Sequence, residues 1–273
     1  MISTASLNDR LELLHTLLRS LQPGLIAVSG GVDSRFLIHV AWLWKLDFHA
    51  AYAVGPHQSE RERRAVLGWL KAQVGFVHML GFNPLTLPEV RGNAASRCYH
   101  CKHALFSHLA RLAEAKSLVA VLDGTQADDM RVHRPGRQAL QALGVHSPLR
   151  QVNMGKAQIR QAAQRLGLAE PGQPSRPCLL TRFPYDYPVS RQQLALVGRV
   201  EDNLSALGLQ RYRFRLLKGR AFLLQIHEQE RNEWQKVKKQ ALDLISGYGL
   251  APVDVELTGH LSGFFDKERP NGQ

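Results

Sequence analysis

The chain has 273 residues, of which 44% are hydrophobic and 21% are charged, so it is globular and is neither a disordered chain nor a disulfide-stapled miniprotein. Lys and Arg outnumber Asp and Glu by 35 to 23, and the net charge of +12 favours anionic partners such as nucleic acid or phosphorylated small molecules. The start of the chain lacks the pattern of a signal peptide, and no segment reaches the roughly 18 apolar residues that span a bilayer. We therefore expect a soluble, cytoplasmic protein with no membrane partner.

Apolar periodicity and turn residues predict helices and strands that alternate through the first two thirds of the chain. The predicted helices cover residues 11–21, 32–45, 60–74, 103–115 and 155–166, and the predicted strands cover 25–28, 48–54, 76–82 and 118–122. Such alternation is typical of βαβ units and a parallel sheet. We expect an α/β domain whose ligand binds beyond the carboxyl ends of the strands.

Five prolines between residues 171 and 188 mark an irregular stretch, and the domain boundary is predicted there, near Phe183. The elements beyond it are predicted as a helix at 190–207, strands at 211–217 and 221–227, a helix at 230–246 and a strand at 253–257. The order αββαβ indicates a small α+β domain. The predicted domains are therefore 1–183 and 184–273.

A short glycine loop lies between the first predicted strand and the following helix. Its residues are Ser29, Gly30, Gly31, Val32, Asp33 and Ser34. Two glycines allow a tight turn in which backbone N–H groups and the helix N-terminus point at a bound anion. The serines add hydroxyl donors, and Asp33 can hold the magnesium ion that accompanies a pyrophosphate. Neither a Walker A loop nor a dinucleotide-binding glycine pattern is present. The loop therefore predicts a nucleotide site of another kind, with a serine-capped glycine turn as the alternative.

The string SGGVDS resembles the signature of the PP-loop ATP pyrophosphatases. These enzymes cleave ATP between the α and β phosphates and adenylate a substrate. The resemblance implies a parallel-sheet domain of the adenine nucleotide α-hydrolase-like type, with ATP and Mg²⁺ as cofactors. It also implies that Asp33 has a catalytic role.

The chain contains three cysteines, Cys98, Cys101 and Cys178, an odd and sparse set that argues against a secreted disulfide framework. The first two form a CxxC motif, which serves redox pairs, zinc sites and iron–sulfur clusters. A structural zinc site would need a fourth ligand such as His100 or His103, and a thioredoxin-type motif would open a helix directly after a strand. Three thiolates suit a 4Fe-4S cluster in which one iron keeps an open position. A zinc site and three unrelated cysteines remain the alternatives.

Polar residues follow the fourth predicted strand. Gly124 would let the backbone approach a nucleotide at the strand end. Asp128 and Asp129 would hold Mg²⁺ or a ribose hydroxyl, or form a solvated cap.

Five arginines are candidates for binding a substrate phosphate or carboxylate. Arg134, Arg137 and Arg182 would clamp such groups bidentately. Arg213 and Arg215 alternate along a predicted strand and so share one face. That face is either a phosphate grip or a solvated edge.

Taken together, the motifs resemble the ATP-dependent sacrificial sulfur transferase family, which helps to build the nickel-pincer cofactor of lactate racemase. They are SGGVDS at 29–34, RCYHCK at 97–102, DGTQADD at 123–129, RPG at 134–136, SPL at 147–149, PS at 174–175, CL at 178–179 and RFPY at 182–185. The resemblance covers roughly residues 8–260. This chain departs from the family at three places. The family usually has Asn at the position of Gln126, Gly at the position of Asp186, and Ser-Gly-Ser-Met-Asn where this chain has Ser-Gly-Phe-Phe-Asp at residues 262–266.

This resemblance implies that ATP adenylates a carboxylate of pyridinium-3,5-biscarboxylic acid mononucleotide and that sulfur then displaces AMP. Some members sacrifice the sulfur of a single cysteine, which matches Cys178, and become dehydroalanine. Others carry three cysteines and a 4Fe-4S cluster that supplies sulfide, and this sequence resembles that second type. We accordingly expect a phosphorylated small-molecule substrate, a sulfide donor protein and a homo-oligomer.

Three other functions remain open. A tRNA thiolation enzyme of the same superfamily is favoured by the net charge, because backbone phosphates attract basic surfaces. An amidating PP-loop ligase would not need the three cysteines. A nucleotide sensor would have kept the fold and lost the chemistry.

Overall fold

A computed structural model describes residues 6–73, 75–131 and 135–268 of the chain. The chain divides into two compact units. The first consists of Met1–Val54, Val66–Phe82 and Ser96–Ser175, and the second of Gly55–Ala65, Asn83–Ala95 and Arg176–Gln273. The division at residue 183 into independent domains stays a prediction.

The predicted helices and strands occur in the predicted order, and the described residues contain three further short helices that were not predicted. The helices are α1 (Leu7–Leu21), α2 (Val32–Leu43), α3 (Glu60–Lys71), α4 (Pro88–Arg91), α5 (Arg97–Ala115), α6 (Pro135–Ala142), α7 (Pro148–Gln151), α8 (Lys156–Arg165), α9 (Arg191–Ala206) and α10 (Arg231–Gly247). The strands are β1 (Gly24–Ala27), β2 (Phe48–Val54), β3 (Val77–Gly81), β4 (Ala120–Leu122), β5 (Tyr212–Leu216), β6 (Phe222–His227) and β7 (Val253–Thr258).

The predicted start of the fifth helix is wrong. The sequence places it at His103, whereas α5 begins at Arg97 and includes the CxxC motif in its first turns. The motif follows α4 and a short connection, not a strand, so it does not have the thioredoxin arrangement. The segment from Arg97 to Lys102 carries few apolar residues, and so gives no periodic signal for a helix.

Within the described residues, the first unit contains a four-stranded parallel sheet in the order β3-β2-β1-β4. Gly24 pairs with Phe48 on one side and with Ala120 on the other, so β1 is an interior strand. This confirms the α/β class and the parallel sheet, and the arrangement is consistent with a Rossmann-like domain.

Helices cover both faces of this sheet, because adjacent residues of a strand point to opposite sides. Ile26 and Tyr52 lie in a core shared with α1, α2 and α8. Leu25 and Ala51 lie in a second core with Phe106 of α5. Since both faces are buried, the strand residues are apolar on both sides.

The strand order reverses at β1. The chain passes from β1 to β2 and β3 on one side, and then returns to place β4 on the other side. In open parallel sheets, ligands bind beyond the carboxyl ends of the strands at such a reversal. The loops after β1 and β4 therefore flank the expected binding crevice of the first unit.

The second unit has the predicted order αββαβ. In its described part, β5 and β6 form an antiparallel hairpin, and β7 adds parallel to β6. Helices α9 and α10 pack against the sheet, and Phe214 and Leu224 are buried there. No described helix in either unit is long and apolar enough to cross a membrane.

Two earlier stretches of chain complete the second unit. The His57 carbonyl accepts a hydrogen bond from the backbone N–H of Leu179 at 3.0 Å. The side-chain amide of Asn93 donates to the carbonyls of Phe183 (3.1 Å) and Pro184 (2.7 Å). The unit is therefore assembled from segments far apart in the sequence.

Candidate functional site

The glycine loop after β1 has an open helix N-terminus. Gly30 has φ +85°, and a Cβ there would lie 2.3 Å from Cγ2 of Val66, so both backbone and space favour glycine. Gly31 is the N-cap of α2, and within the described chain no side chain caps that helix. Because the first N–H groups of a helix have no intrahelical partner, this terminus can accept an anion.

The two serines of the loop hold its curled shape. The Ser34 hydroxyl accepts a hydrogen bond from the backbone N–H of Ser29 at 3.1 Å and donates to the carbonyl of Gly31 at 3.1 Å. The Ser29 hydroxyl lies 3.1 Å from that of Ser34. Ser34 is buried, whereas Ser29 is exposed. The Ser29 hydroxyl and the N–H groups of the first turn of α2 are thus the donors of this loop that a ligand would meet.

Gly124 supports the same loop from β4. A Cβ on Gly124 would lie 2.8 Å from the backbone nitrogen of Ser34 and 2.9 Å from its Cα. Any larger residue would displace the first turn of α2, because the obstructing atoms belong to the backbone. The backbone of Gly124 thus lies close to Ser34, and its approach to a nucleotide stays a prediction.

Asp33 forms an ion pair with Lys156. The Lys156 ammonium donates to both carboxylate oxygens, at 2.9 Å and 2.7 Å. The side chains are 21% and 33% exposed, respectively. Burial raises the pKa of Asp33, and the charge and hydrogen bonds of Lys156 oppose that rise. The nearby negative charge of Asp129 also raises this pKa, whereas the positive charge of Arg160 lowers it. The sequence pointed to Asp33 but gave no sign of Lys156, which lies 123 residues later.

Asp128 and Asp129 organise the segment after β4. The Asp128 carboxylate accepts a hydrogen bond from the backbone N–H of Lys156 at 2.8 Å and so caps α8. The Asp129 carboxylate accepts a hydrogen bond from the backbone N–H of Gln126 at 3.1 Å. The backbone carbonyl of Asp129 accepts a hydrogen bond from the Arg137 guanidinium at 3.1 Å. A role of these residues in binding metal or substrate stays a prediction. Arg134 lies outside the described residues.

Asp123, a buried carboxylate that was not predicted as a site residue, lies beside this segment. Asp123 is 5% exposed and accepts hydrogen bonds from the hydroxyls of Thr125 and, at 2.6 Å, Ser147. The Lys102 ammonium lies 3.8 Å from it. The available signal was an acidic residue at the end of a predicted strand, directly before Gly124.

The three cysteines fall in both units. Cys98 and Cys101 lie one turn apart on α5 in the first unit, so they share a face of the helix. Cys178 lies in the second unit, directly before the 3₁₀ turn Leu179–Arg182. Among the described residues, no group of three or more His, Cys, Asp or Glu side chains is placed to hold a metal ion. Thiolates are the donors that iron–sulfur clusters use, and the cluster stays a prediction.

Arg182, predicted to clamp substrate, is a buried residue of the second unit. Its guanidinium donates to both carboxylate oxygens of Glu201, at 2.7 Å and 2.9 Å, and to the Thr181 hydroxyl at 2.7 Å. The two charged side chains are only 2% and 11% exposed. Burial alone would raise the pKa of Glu201, but the Arg182 charge and hydrogen bonds bring it below its ordinary value. Arg182 and Glu201 also line a small polar cleft that includes Glu62 and Arg213.

Arg213 and Arg215 do not form a solvated edge, because they are 6% and 3% exposed. Burial, followed by the nearby charge of Arg182, lowers the pKa of Arg213 to about 10 and that of Arg215 to about 9. Arg215 donates to three protein acceptors: Gln225 Oε1 at 2.6 Å, the Thr181 carbonyl at 2.8 Å and the Leu261 carbonyl at 2.5 Å. Whether these arginines bind substrate stays a prediction.

Three proteins are similar in sequence to this chain. An uncharacterized protein of Synechocystis sp., slr1717, is 34% identical over 94% of this chain and 97% of its own length. An uncharacterized protein of Methanocaldococcus jannaschii, MJ0830, is 29% identical over 66% of this chain and 68% of its own length. The pyridinium-3,5-bisthiocarboxylic acid mononucleotide synthase of Lactiplantibacillus plantarum is 27% identical over 77% of both chains. No protein-family model matches the chain.

Proposed function

The chain belongs to the family of the Synechocystis protein slr1717, and from this premise we propose that it is an enzyme of nickel-pincer cofactor biosynthesis, an ATP-dependent sulfurtransferase. The observation that carries the proposal is the 27% identity to the Lactiplantibacillus plantarum synthase over 77% of both chains. The open N-terminus of α2 at the reversal of the strand order supports the nucleotide part of the proposal.

The proposed reaction has two steps. In the first, a carboxylate oxygen of pyridinium-3,5-biscarboxylic acid mononucleotide attacks the α-phosphorus of ATP. The bond between the α-phosphorus and the bridging oxygen breaks, and pyrophosphate leaves. In the second step, a sulfide attacks the activated acyl carbon, and the bond from that carbon to the AMP oxygen breaks. AMP departs, and the product is a thiocarboxylate. Each turn therefore consumes one ATP and one sulfide.

The glycine loop would bind the phosphates of ATP in the first step. Backbone N–H groups of the first turn of α2 would donate to phosphate oxygens, with the hydroxyl of Ser29 beside them. Oxygen donors suit Mg²⁺, so the Asp33 carboxylate would hold the ion, with Asp128 and Asp129 nearby in the first unit. Mg²⁺ supplies charge neutralisation of the leaving pyrophosphate.

The three cysteines would serve the delivery of sulfur. Cys98, Cys101 and Cys178 would hold a 4Fe-4S cluster, which supplies a sulfide at its open iron when bound. A sulfide donor protein would then restore the sulfide after each turn. Without a cluster, the thiolate of Cys178 would attack the acyl carbon itself, and the bond from that carbon to the AMP oxygen would break to release AMP. Loss of the Cys178 α-proton and breakage of its Cβ–Sγ bond would then release the thiocarboxylate and leave dehydroalanine.

The substrate would be held by basic side chains through its phosphate and its free carboxylate. Arg137 lies beside Asp129 in the first unit and would contact an anion directly, whereas the buried Arg182, Arg213 and Arg215 of the second unit would contribute through their positive charge. Arg134, in the segment before α6, completes the proposed set. Bidentate guanidinium contacts suit both kinds of anion.

The test is an assay of anaerobically purified protein with ATP, Mg²⁺ and the pyridinium biscarboxylate mononucleotide. We expect AMP and pyrophosphate release, and a product whose mass reports exchange of oxygen for sulfur. Asp33→Ala should abolish the release of both pyrophosphate and AMP, whereas Cys178→Ala should retain pyrophosphate release and lose the sulfur-containing product. Lys236→Met removes an exposed ion pair with Glu233 and is the control for a charge lost at the surface. AMP release that is unchanged in Asp33→Ala would contradict the proposal.

The net charge of +12 favours one competing function, the thiolation of tRNA. An electrophoretic shift with tRNA that weakens as salt rises would support it. Saturable turnover of the pyridinium mononucleotide without any tRNA shift would exclude it. An iron and sulfide assay of the same preparation separates the cluster mechanism from the sacrifice of Cys178.

A further inference from the structure

The ion pair between Asp33 and Lys156 joins the glycine loop to the start of α8. Both carboxylate oxygens of Asp33 accept from the Lys156 ammonium, at 2.9 Å and 2.7 Å. Asp33 lies in the first turn of α2, the helix whose N-terminus has no side-chain cap among the described residues. The pair therefore lies where an anion bound by this helix would be found.

The backbone of Lys156 is fixed while its side chain retains room to move. Its N–H donates to Asp128 at 2.8 Å, and a Cβ on the preceding Gly155 would lie 2.9 Å from the same carboxylate oxygen. The Lys156 side chain is 33% exposed, and a lysine ammonium sits on a flexible four-carbon stem. Lys156 can thus reach different partners without movement of α8.

Asp33 needs a cation, and two cations compete for it in the proposed reaction. Its carboxylate is 21% exposed, so an unpaired charge there would be only partly solvated. A divalent ion that accompanies a nucleotide would use the oxygens that Lys156 already occupies. If Lys156 left Asp33, a phosphate at the N-terminus of α2, the helix that carries Asp33, would offer it a new anionic partner.

We propose that Lys156 and Asp33 exchange partners when a nucleotide binds. The Lys156 ammonium moves from the Asp33 carboxylate to a phosphate oxygen, and the carboxylate takes the divalent cation. Lys156 is then a positioning residue before binding and a phosphate ligand afterwards. This inference rests on the proposed nucleotide site and adds a residue and a binding order to it.

Partner exchange predicts opposite effects of one substitution on two simple probes, inorganic pyrophosphate and Mn²⁺ alone. Lys156→Met should weaken pyrophosphate binding in EDTA by about 10- to 100-fold, the equivalent of one charge-assisted hydrogen bond. The same variant should bind Mn²⁺ at least about twofold more tightly, because the carboxylate is no longer paired. Calorimetry measures the first affinity, and electron paramagnetic resonance of free Mn²⁺ measures the second.

The reciprocal variant must show the reverse. Asp33→Asn frees Lys156 for the anion, so pyrophosphate should bind more tightly than to the unaltered protein in EDTA, while Mn²⁺ binding should be lost. Lys156→Arg keeps the charge and should retain pyrophosphate binding within about tenfold. This variant also serves as a check that the fold tolerates change at the position.

Arg160→Met is the matched control for charge alone. Arg160 acts on Asp33 through its charge and forms no hydrogen bond to it in the described chain. Equal changes of pyrophosphate and Mn²⁺ affinity in Arg160→Met and Lys156→Met would overturn partner exchange. A loss of binding of both probes in Lys156→Met would also overturn it. If the unaltered protein binds neither pyrophosphate nor ATP, the nucleotide site itself fails. If it binds both and Lys156→Met binds them equally well, only the exchange fails.

Discussion

Two ion pairs, Asp33–Lys156 in the first unit and Arg182–Glu201 in the second, have the same charges but different surroundings. Both are bidentate, with bond lengths between 2.7 Å and 2.9 Å. The side chains of the first pair are 21% and 33% exposed, whereas Arg182 is only 2% exposed. Similar geometry therefore serves an exchangeable contact in one unit and a fixed one in the other.

The difference lies in what replaces water around each charge. Glu201 also accepts from the backbone N–H of Phe214 at 2.9 Å, and Arg182 also donates to the Thr181 hydroxyl. Each buried charge has lost solvation worth several kcal/mol, and only the partners around it compensate for that loss. Asp33 and Lys156 keep contact with solvent, so each can change its partner at little cost.

The largest effect should come from breaking the buried pair. Arg182→Met leaves the Glu201 carboxylate buried without its main partner, and we expect unfolding to become easier by about 3 to 5 kcal/mol. Urea denaturation followed by circular dichroism measures this change. The matched substitution Lys156→Met should cost less than about 1 kcal/mol.

A double substitution separates lost attraction from buried charge. Arg182→Met combined with Glu201→Met removes both charges and should recover part of the stability lost in the single variant. If Arg182→Met and Lys156→Met destabilise the protein equally, the distinction between the two pairs is wrong.

A substitution at Gly124 disturbs the loop that carries Asp33 without removing a charge from either ion pair. The Cβ in Gly124→Ala would meet the Ser34 backbone at 2.8 Å, so the first turn of α2 must shift. We expect a loss of about 1 to 3 kcal/mol in unfolding free energy, together with weaker pyrophosphate binding. Gly68→Ala, on α3, meets nothing within 4 Å and should be neutral or stabilising. If Gly124→Ala binds pyrophosphate as tightly as the unaltered protein, the pyrophosphate site does not depend on this loop.

The buried pair should also govern stability in acid. The pKa of Glu201 is lower in the folded protein than its ordinary value of 4.5, so the unfolded chain takes up the proton first. The contribution of ionised Glu201 to the unfolding free energy is present above about pH 4.5. It is lost as the pH falls towards the pKa of Glu201 in the folded protein, by up to about 1.4 kcal/mol per pH unit. Urea midpoints measured from pH 6 to about pH 3 should show this descent. Glu201→Gln should flatten it, whereas Asp33→Asn should retain the part due to Glu201.

The smallest effect is expected away from both pairs, at Asp186. This residue has φ +61°, a left-handed conformation that Asp tolerates better than most side chains. Asp186→Gly should change the unfolding free energy by less than about 1 kcal/mol. Asp186→Val places a β-branched side chain in the same conformation and should lose about 1 to 3 kcal/mol. Equal melting temperatures for the Gly and Val variants would contradict this reading of the backbone.

The sequence predicted best where local periodicity and tertiary packing agree. Strand β2 runs from Phe48 to Val54 as predicted, because its apolar residues fill both faces of the sheet. The left-handed backbone at Asp186, in contrast, was not predicted from the sequence. The start of α5 was missed because polar and cysteine residues between Arg97 and Lys102 carry no helical periodicity.

The contacts of the site were harder to predict because they depend on residues far apart in the chain. Lys156 reaches Asp33 across 123 residues, and nothing local marks a lysine at the start of a helix as a partner for that carboxylate. Arg213 and Arg215 alternate as a solvated edge would. Their burial depends on how residues near Thr181 and Leu261 fold against the strand.

The three-segment construction of the second unit has a consequence for its synthesis. Gly55–Ala65 and Asn83–Ala95 leave the ribosome long before Arg176–Gln273, so the His57 carbonyl and the Asn93 amide must wait for Leu179, Phe183 and Pro184. Long-range closure of this kind is slow. The nascent chain would therefore complete the parallel sheet first and hold two unfinished loops open until its last third emerges.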